Sequence, residues 1–146
     1  MAEDGEYQIL GIYLAADLSG CENIPKTAAT IKKHAIKAAK EAGATVKIAS
    51  ARSGDFQARP KKKRGRGLSY QFAPAAISVD IILAESHLTV HTWPELYFVA
   101  VDIFTCGATA KPKKALEYLI KIFKPKVVKK RTIQRKANIR FTNLSN

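Results

Sequence analysis

The sequence predicts an α+β fold, a two-layer sandwich of a mostly antiparallel sheet with two helices on one face. Three observations carry this. The chain has 146 residues, enough for one core and not for two, so 1–146 reads as a single domain. Two segments repeat apolar residues at helical spacings of three and four. Several shorter segments, rich in β-branched residues and bounded by turn chemistry, read as strands, and helices among such strands pack as a layer pair.

Residues 6–16, EYQILGIYLAA, form the first predicted strand, which stops where Asp17, Ser19 and Gly20 supply a turn. A helix is expected to start near Asn23 and Pro25, with Ala28, Ile31, Ala35, Ala38 and Ala42 on its apolar stripe and Gly43 as its stop. Residues 44–49 follow as a strand. Gly54, Pro60 and a run of cations make 51–71 a long exposed loop. Two further strands are expected at 76–85 and 97–105, joined through the histidine-rich stretch between them. Ala115, Leu116, Leu119, Ile120 and Phe123 place a second helix over 113–123. The last strands are expected at 126–133 and around Ile139 to Phe141. Strands apolar at successive positions are buried on both faces, so the sheet face away from the helices calls for a second copy, a homodimer packed sheet against sheet.

The formal net charge of +13 suggests a polyanion partner, yet much of it lies in a loop, 57–69, and a C-terminal tail, 124–146. Both blocks read as solvated chain. Nucleic acid would bind only through these segments, and Lys61 to Arg66 holds no aromatic residue on which a base could stack. The acidic N-terminus, Met1 to Asp4, and the lack of a long apolar run predict a cytoplasmic protein that does not enter a membrane. Cys21 and Cys106 stand far apart, with no spacing that would hold a metal.

Chemistry concentrates in AESHLTVHTWPE, residues 84–95. His87, His91 and Glu95 have the i, i+4, i+8 spacing of a helical metal site, but Thr89, Val90 and Thr92 favour extended chain and Pro94 would break a helix, so no metal is expected. Alternation places Ser78, Asp80, Ile82, Ala84 and Ser86 on one face, and Asp102, Phe104 and Cys106 on one face of the later strand. Pairing of these two strands would gather a serine, two aspartates and a thiol, more polarity than a plain core tolerates. A Ser/His/Asp hydrolase is opposed by the absence of G-x-S-x-G around every serine.

Residues 85–95, ESHLTVHTWPE, followed by AVDIFTCG at 100–107, resemble the signature of the prokaryotic S-adenosylmethionine decarboxylase proenzymes. The similarity extends more weakly to Leu10, Gly11, Asp17, Gly20 and Cys21, to Phe72-Ala73-Pro74 and to Ser78. It implies the fold of that family and a chain that cuts itself between Glu85 and Ser86, leaving a β chain 1–85 and an α chain 86–146. Ser86 would become a pyruvoyl group, which takes up the substrate amine as a Schiff base and replaces pyridoxal phosphate as electron sink. The resemblance makes His91 the proton acceptor in processing, with Ser78 assisting, and Cys106 the proton donor of the decarboxylation. It gives Glu95 to the substrate ribose and Phe72 to the adenine or the sulfonium.

The chain departs from the family pattern in places. Ala76 and Val79 stand where glycines are usual, and Tyr13 and Tyr70 where histidines are common. Asp80 adds a carboxylate to a typically aliphatic strand; it either pairs with a cation of this chain or meets a guanidinium or ammonium of a basic substrate. Three functions stay open on this basis: a self-processing S-adenosylmethionine decarboxylase serving spermidine synthesis, the same machinery acting on arginine or ornithine, and a non-enzymatic relative that binds a polyanion.

Overall fold

The computed structural model describes residues 6–53 and 75–139. Its elements are β1 (Tyr7–Ser19), α1 (Ala28–Glu41), β2 (Val46–Ser53), β3 (Ile77–Leu83), β4 (Ser86–Trp93), β5 (Phe98–Cys106), α2 (Pro112–Phe123) and β6 (Val127–Asn138). They form one six-stranded sheet in the order β2-β3-β4-β5-β1-β6, with every neighbouring pair antiparallel. Both helices lie on one face, as the sequence predicts.

The helices form where their apolar stripes can be buried. Thr27 caps α1, its Oγ1 accepting from the Thr30 amide, and Gly43 takes the left-handed φ of 74° that ends the helix region. Ile31, Ala35, Ala38 and Ala39 of α1 and Ala115, Leu116, Leu119 and Phe123 of α2 are buried against the sheet. From below they meet alternate residues of the strands, such as Leu14, Val79, Leu88, Val101 and Ile103, in one continuous core.

Two strand ends move, since β1 runs on through Asp17 to Ser19 and β2 reaches Ser53 in the segment expected as loop, and two larger expectations fail. Residues 86–93 are not a connection but the strand β4, which lies between β3 and β5, so the strands expected to pair directly do not touch as neighbours. The cause is visible in the alternation: Leu88, Val90 and Thr92 are buried beneath the helices while His87, Thr89, His91 and Trp93 face the other way. The basic C-terminal segment is not a solvated tail either, because Val127–Asn138 forms β6 along β1. The resulting sheet edge carries Lys129, Lys130, Arg131, Arg135 and Lys136, charges that oppose edge-to-edge pairing. Phe72, Tyr70 and the cluster Lys61 to Arg66 fall outside the described residues, as do Arg140 and Phe141 of the strand expected around Ile139 to Phe141. Among the described residues no helix is long and apolar enough to cross a membrane, and no cluster of His, Cys, Asp and Glu could hold a metal.

Candidate active site

The face opposite the helices, the open face, gathers nearly all the residues singled out by sequence. Ser78, Asp80 and Ile82 of β3, His87, Thr89, His91 and Trp93 of β4, and Asp102 and Phe104 of β5 are half-buried or exposed there, with Cys106 exposed at the end of β5. They do not form one cluster. They form two, at opposite ends of β4.

The first lies at the turn from β3 into β4. Ser86 Oγ and Cys106 Sγ are 3.2 Å apart and share a hydrogen bond. The Cys106 amide donates to the Glu85 carbonyl oxygen at 2.9 Å, so the carbonyl on the N-terminal side of Ser86 is already polarised by a fixed donor. The Glu85 side chain is also held, its Oε2 accepting from the Thr45 amide at 2.9 Å. That bond lowers the Glu85 pKa below the usual carboxylate range and pins the turn against the chain leading into β2. Ser86 itself has φ 156°, a backbone angle that side-chain-bearing residues rarely adopt.

The second cluster lies at the far end of β4. Ser78 Oγ and His91 Nδ1 are 2.9 Å apart on directly paired residues of β3 and β4. They line a cleft of about 290 Å³ with Arg52, Ala76, Ile77, Thr92 and Trp93. Beyond it Glu95 accepts a hydrogen bond from the Ala75 amide at 3.1 Å. His91 lies five residue steps along the extended chain from Ser86, about 17 Å at the rise of a β-strand. The histidine and the serine are therefore not in contact within one chain.

Asp80 takes the first of its two open readings: its Oδ2 lies 3.2 Å from Nη2 of Arg52 on β2. Between the clusters, the Tyr13 hydroxyl donates to Asp102 Oδ1, which raises the Tyr13 pKa above 10.0, chiefly through that bond. Three features had no sequence signal: the Cys106 amide on Glu85, the Thr45 amide on the Glu85 side chain, and the Tyr13–Asp102 bond. The first two use backbone groups, which no residue identity reveals. The third joins residues 89 apart.

Comparison with known proteins shows the family and the fold. Residues 12–136 match the model of the S-adenosylmethionine decarboxylase family. The chain is 40% identical over 119 residues to the S-adenosylmethionine decarboxylase proenzyme of Thermodesulfovibrio yellowstonii, covering 81% of this chain and 75% of that one. It is 36% identical over 121 residues to the proenzyme of the same name from Brevibacillus brevis, covering 82% and 77%. The crystal structure of the adenosylmethionine decarboxylase from Aquifex aeolicus is similar with a TM-score of 0.67 at 29% identity, covering 88% of this chain and 92% of that one.

Proposed function

The chain belongs to the S-adenosylmethionine decarboxylase family, and from that premise we propose that it is a self-processing, pyruvoyl-dependent decarboxylase of S-adenosylmethionine, serving spermidine synthesis. The observation that carries this is the Glu85–Ser86 junction, where the serine hydroxyl sits beside Cys106 and the preceding carbonyl is held by the Cys106 amide.

Processing begins with Ser86 Oγ attacking the Glu85 carbonyl carbon. A C–O bond forms, the Glu85–Ser86 C–N bond breaks, and the amide becomes an ester with a free amine on residue 86. The Cys106 amide stabilises the oxyanion that develops on the carbonyl oxygen. The rare φ of Ser86 assists, because the strain stored there is released when the peptide bond opens. Elimination then removes the Ser86 α-proton and expels the Glu85 carboxylate, and hydrolysis of the resulting dehydroalanine releases ammonia and leaves the pyruvoyl carbonyl. The junction fits that group: it offers a serine to form it, and the Cys106 Sγ lies 3.2 Å from that serine's Oγ.

Once formed, the pyruvoyl group supplies an electron-accepting carbonyl. Cys106 then returns a proton to the substrate α-carbon after carbon dioxide departs. Glu95, on an exposed turn, accepts hydrogen bonds from the ribose hydroxyls. A thiol with this task needs a reducing compartment, which favours the cytoplasm.

His91 and Ser78 assist processing from a second copy. Their distance from Ser86 within one chain excludes direct help, and the open face displays apolar side chains, including Ile48, Ile82 and Ile133, that a partner sheet would cover. A two-fold axis perpendicular to the strands, passing near Thr89, would lay the Ser78–His91 end of each sheet over the Ser86–Cys106 end of the other. A basic amino acid as substrate is not favoured: Asp80, the carboxylate that would receive it, is occupied by Arg52, and the relatives above carry the name of the S-adenosylmethionine enzyme.

Intact mass of the purified protein tests the reading. Two chains that separate between Glu85 and Ser86, with carbon dioxide released from S-adenosylmethionine, are expected of the wild type; Ser86→Ala should give one uncut, inactive chain. A wild-type protein that stays whole, or that is cut and decarboxylates only arginine or ornithine, would overturn it.

A further inference from the structure

One row of the sheet register runs inward from the edge through Arg135 of β6, Gly11 of β1 and Cys106 of β5. Gly11 is buried, and a Cβ there would lie 2.8 Å from Phe104 Cε2 and 2.7 Å from the Thr105 carbonyl oxygen. The ring of Phe104 therefore lies across the glycine, in the space between Arg135 and Cys106. The Arg135 guanidinium sits over that ring, 5.7 Å from its centroid. Arg135 forms no ion pair with an acid among the described residues, whereas Arg52, on the same face, is bonded to Asp80.

A guanidinium steadied on an aromatic face, with its fork of donors free, is a receptor for a carboxylate. We propose that Arg135 receives the α-carboxylate of the substrate, an inference that rests on the decarboxylase reading. S-adenosylmethionine has one anionic group at neutral pH. It is attached to the carbon that must come within reach of Ser86 and Cys106, and the row places Arg135 on the same side of the sheet as Cys106, whose Sγ lies 3.2 Å from Ser86 Oγ. The pair exists only while the carboxylate does. An interaction present in the ground state and lost as carbon dioxide leaves supports binding without lowering the barrier of the chemical step.

Arg135→Gln in the processed enzyme should raise KM for S-adenosylmethionine about 3- to 10-fold, the range for one charge-assisted contact at a partly solvated site, and leave kcat unchanged or higher. Calorimetry on the uncut Ser86→Ala protein, with and without R135Q, should show the same loss in affinity for S-adenosylmethionine. It should show no loss for decarboxylated S-adenosylmethionine, which lacks the anion. Lys130→Ala, on the same strand but facing the other way, is the control for a general loss of positive charge and should change neither constant. Equal weakening of both ligands would assign Arg135 to the nucleoside instead and overturn the proposal. So would unchanged affinities, a fall in kcat at constant KM, or a variant that falls to monomer where the wild type is a dimer. A wild-type protein without decarboxylase activity would sink the function proposed above by itself, and the calorimetric comparison would still decide the role of Arg135.

Discussion

Cys21 and Cys106 are one residue type in opposite surroundings. Cys21 is buried, its thiol close to the Leu18 carbonyl oxygen, and burial pushes its pKa up to about 11. At pH 8 only about a thousandth of it is thiolate, the form that reacts. Cys106 is exposed. Iodoacetamide at pH 8 should therefore label the folded protein at Cys106 and spare Cys21 until denaturant is added, with mass spectrometry locating the label. Equal labelling of both in the folded state would refute this burial. Asp80 gives a second contrast: its pair with Arg52 is solvent-exposed, with side chains 32% and 70% accessible, and such pairs contribute about 0–1 kcal/mol. Asp80→Asn should cost no more than that in urea unfolding and leave the choice between S-adenosylmethionine, arginine and ornithine unchanged; a gain or loss of basic substrates would return Asp80 to the pocket. Ser86, His91, Cys106 and Glu95 were legible because an ungapped stretch carries them. The consequence of the missing glycines was not: Ala76 and Val79 both have negative φ, so at these positions the backbone does not call for glycine.

The strand β4 was the element hardest to see. Its inward residues include the polar Thr92, buried because its hydroxyl exchanges hydrogen bonds with the backbone of Ile77, and its outward residues include the apolar Trp93. That inversion blurs a period-2 pattern that is otherwise regular. The helices were more legible, since their stripes have one apolar side and one charged side, and only their first residues were displaced. β6 was half-legible: the strand expected over 126–133 is there, but it continues to Asn138, where Gln134, Arg135 and Lys136 read as solvated chain when no partner strand is in view. β1 shows how an element depends on a single small residue. Gly11 must accommodate both the Thr105 carbonyl and the Phe104 ring. Gly11→Ala should force β1 and β5 apart or displace the ring, costing about 1–3 kcal/mol in urea unfolding, as overpacking does. It should also disturb the cation–π contact of Arg135. A variant as stable as the wild type would mean that Phe104 swings aside freely.

At the scale of the whole molecule the two half-sites demand an explanation. Each chain carries Ser86 and the Glu85 carbonyl at one end of β4 and the Ser78–His91 pair at the other, about 17 Å away along the strand. No side-chain rotation closes that gap, and bending β4 would unpair it from both β3 and β5. A second copy would close it without deformation, because a two-fold axis exchanges the ends, which is the arrangement proposed above. The sequence held only the general form of this proposal, that an apolar sheet face needs cover; the separation of the two ends depends on register, which follows from pairing and not from composition. Light scattering should give twice the 16.0 kDa of the chain. The decisive experiment is complementation. His91→Ala and Ser86→Ala, each expressed alone, should stay uncut, the first for want of a proton acceptor and the second for want of a nucleophile. Co-expressed with distinguishable tags, they form mixed dimers in which an intact Ser86 faces an intact His91. With random assortment about half of the H91A chains have an S86A partner, and those chains should be cut between Glu85 and Ser86 while the S86A chains remain whole. If mixed dimers form and no H91A chain is cut, the histidine acts within its own chain or not at all. The open face would then be covered in some other way.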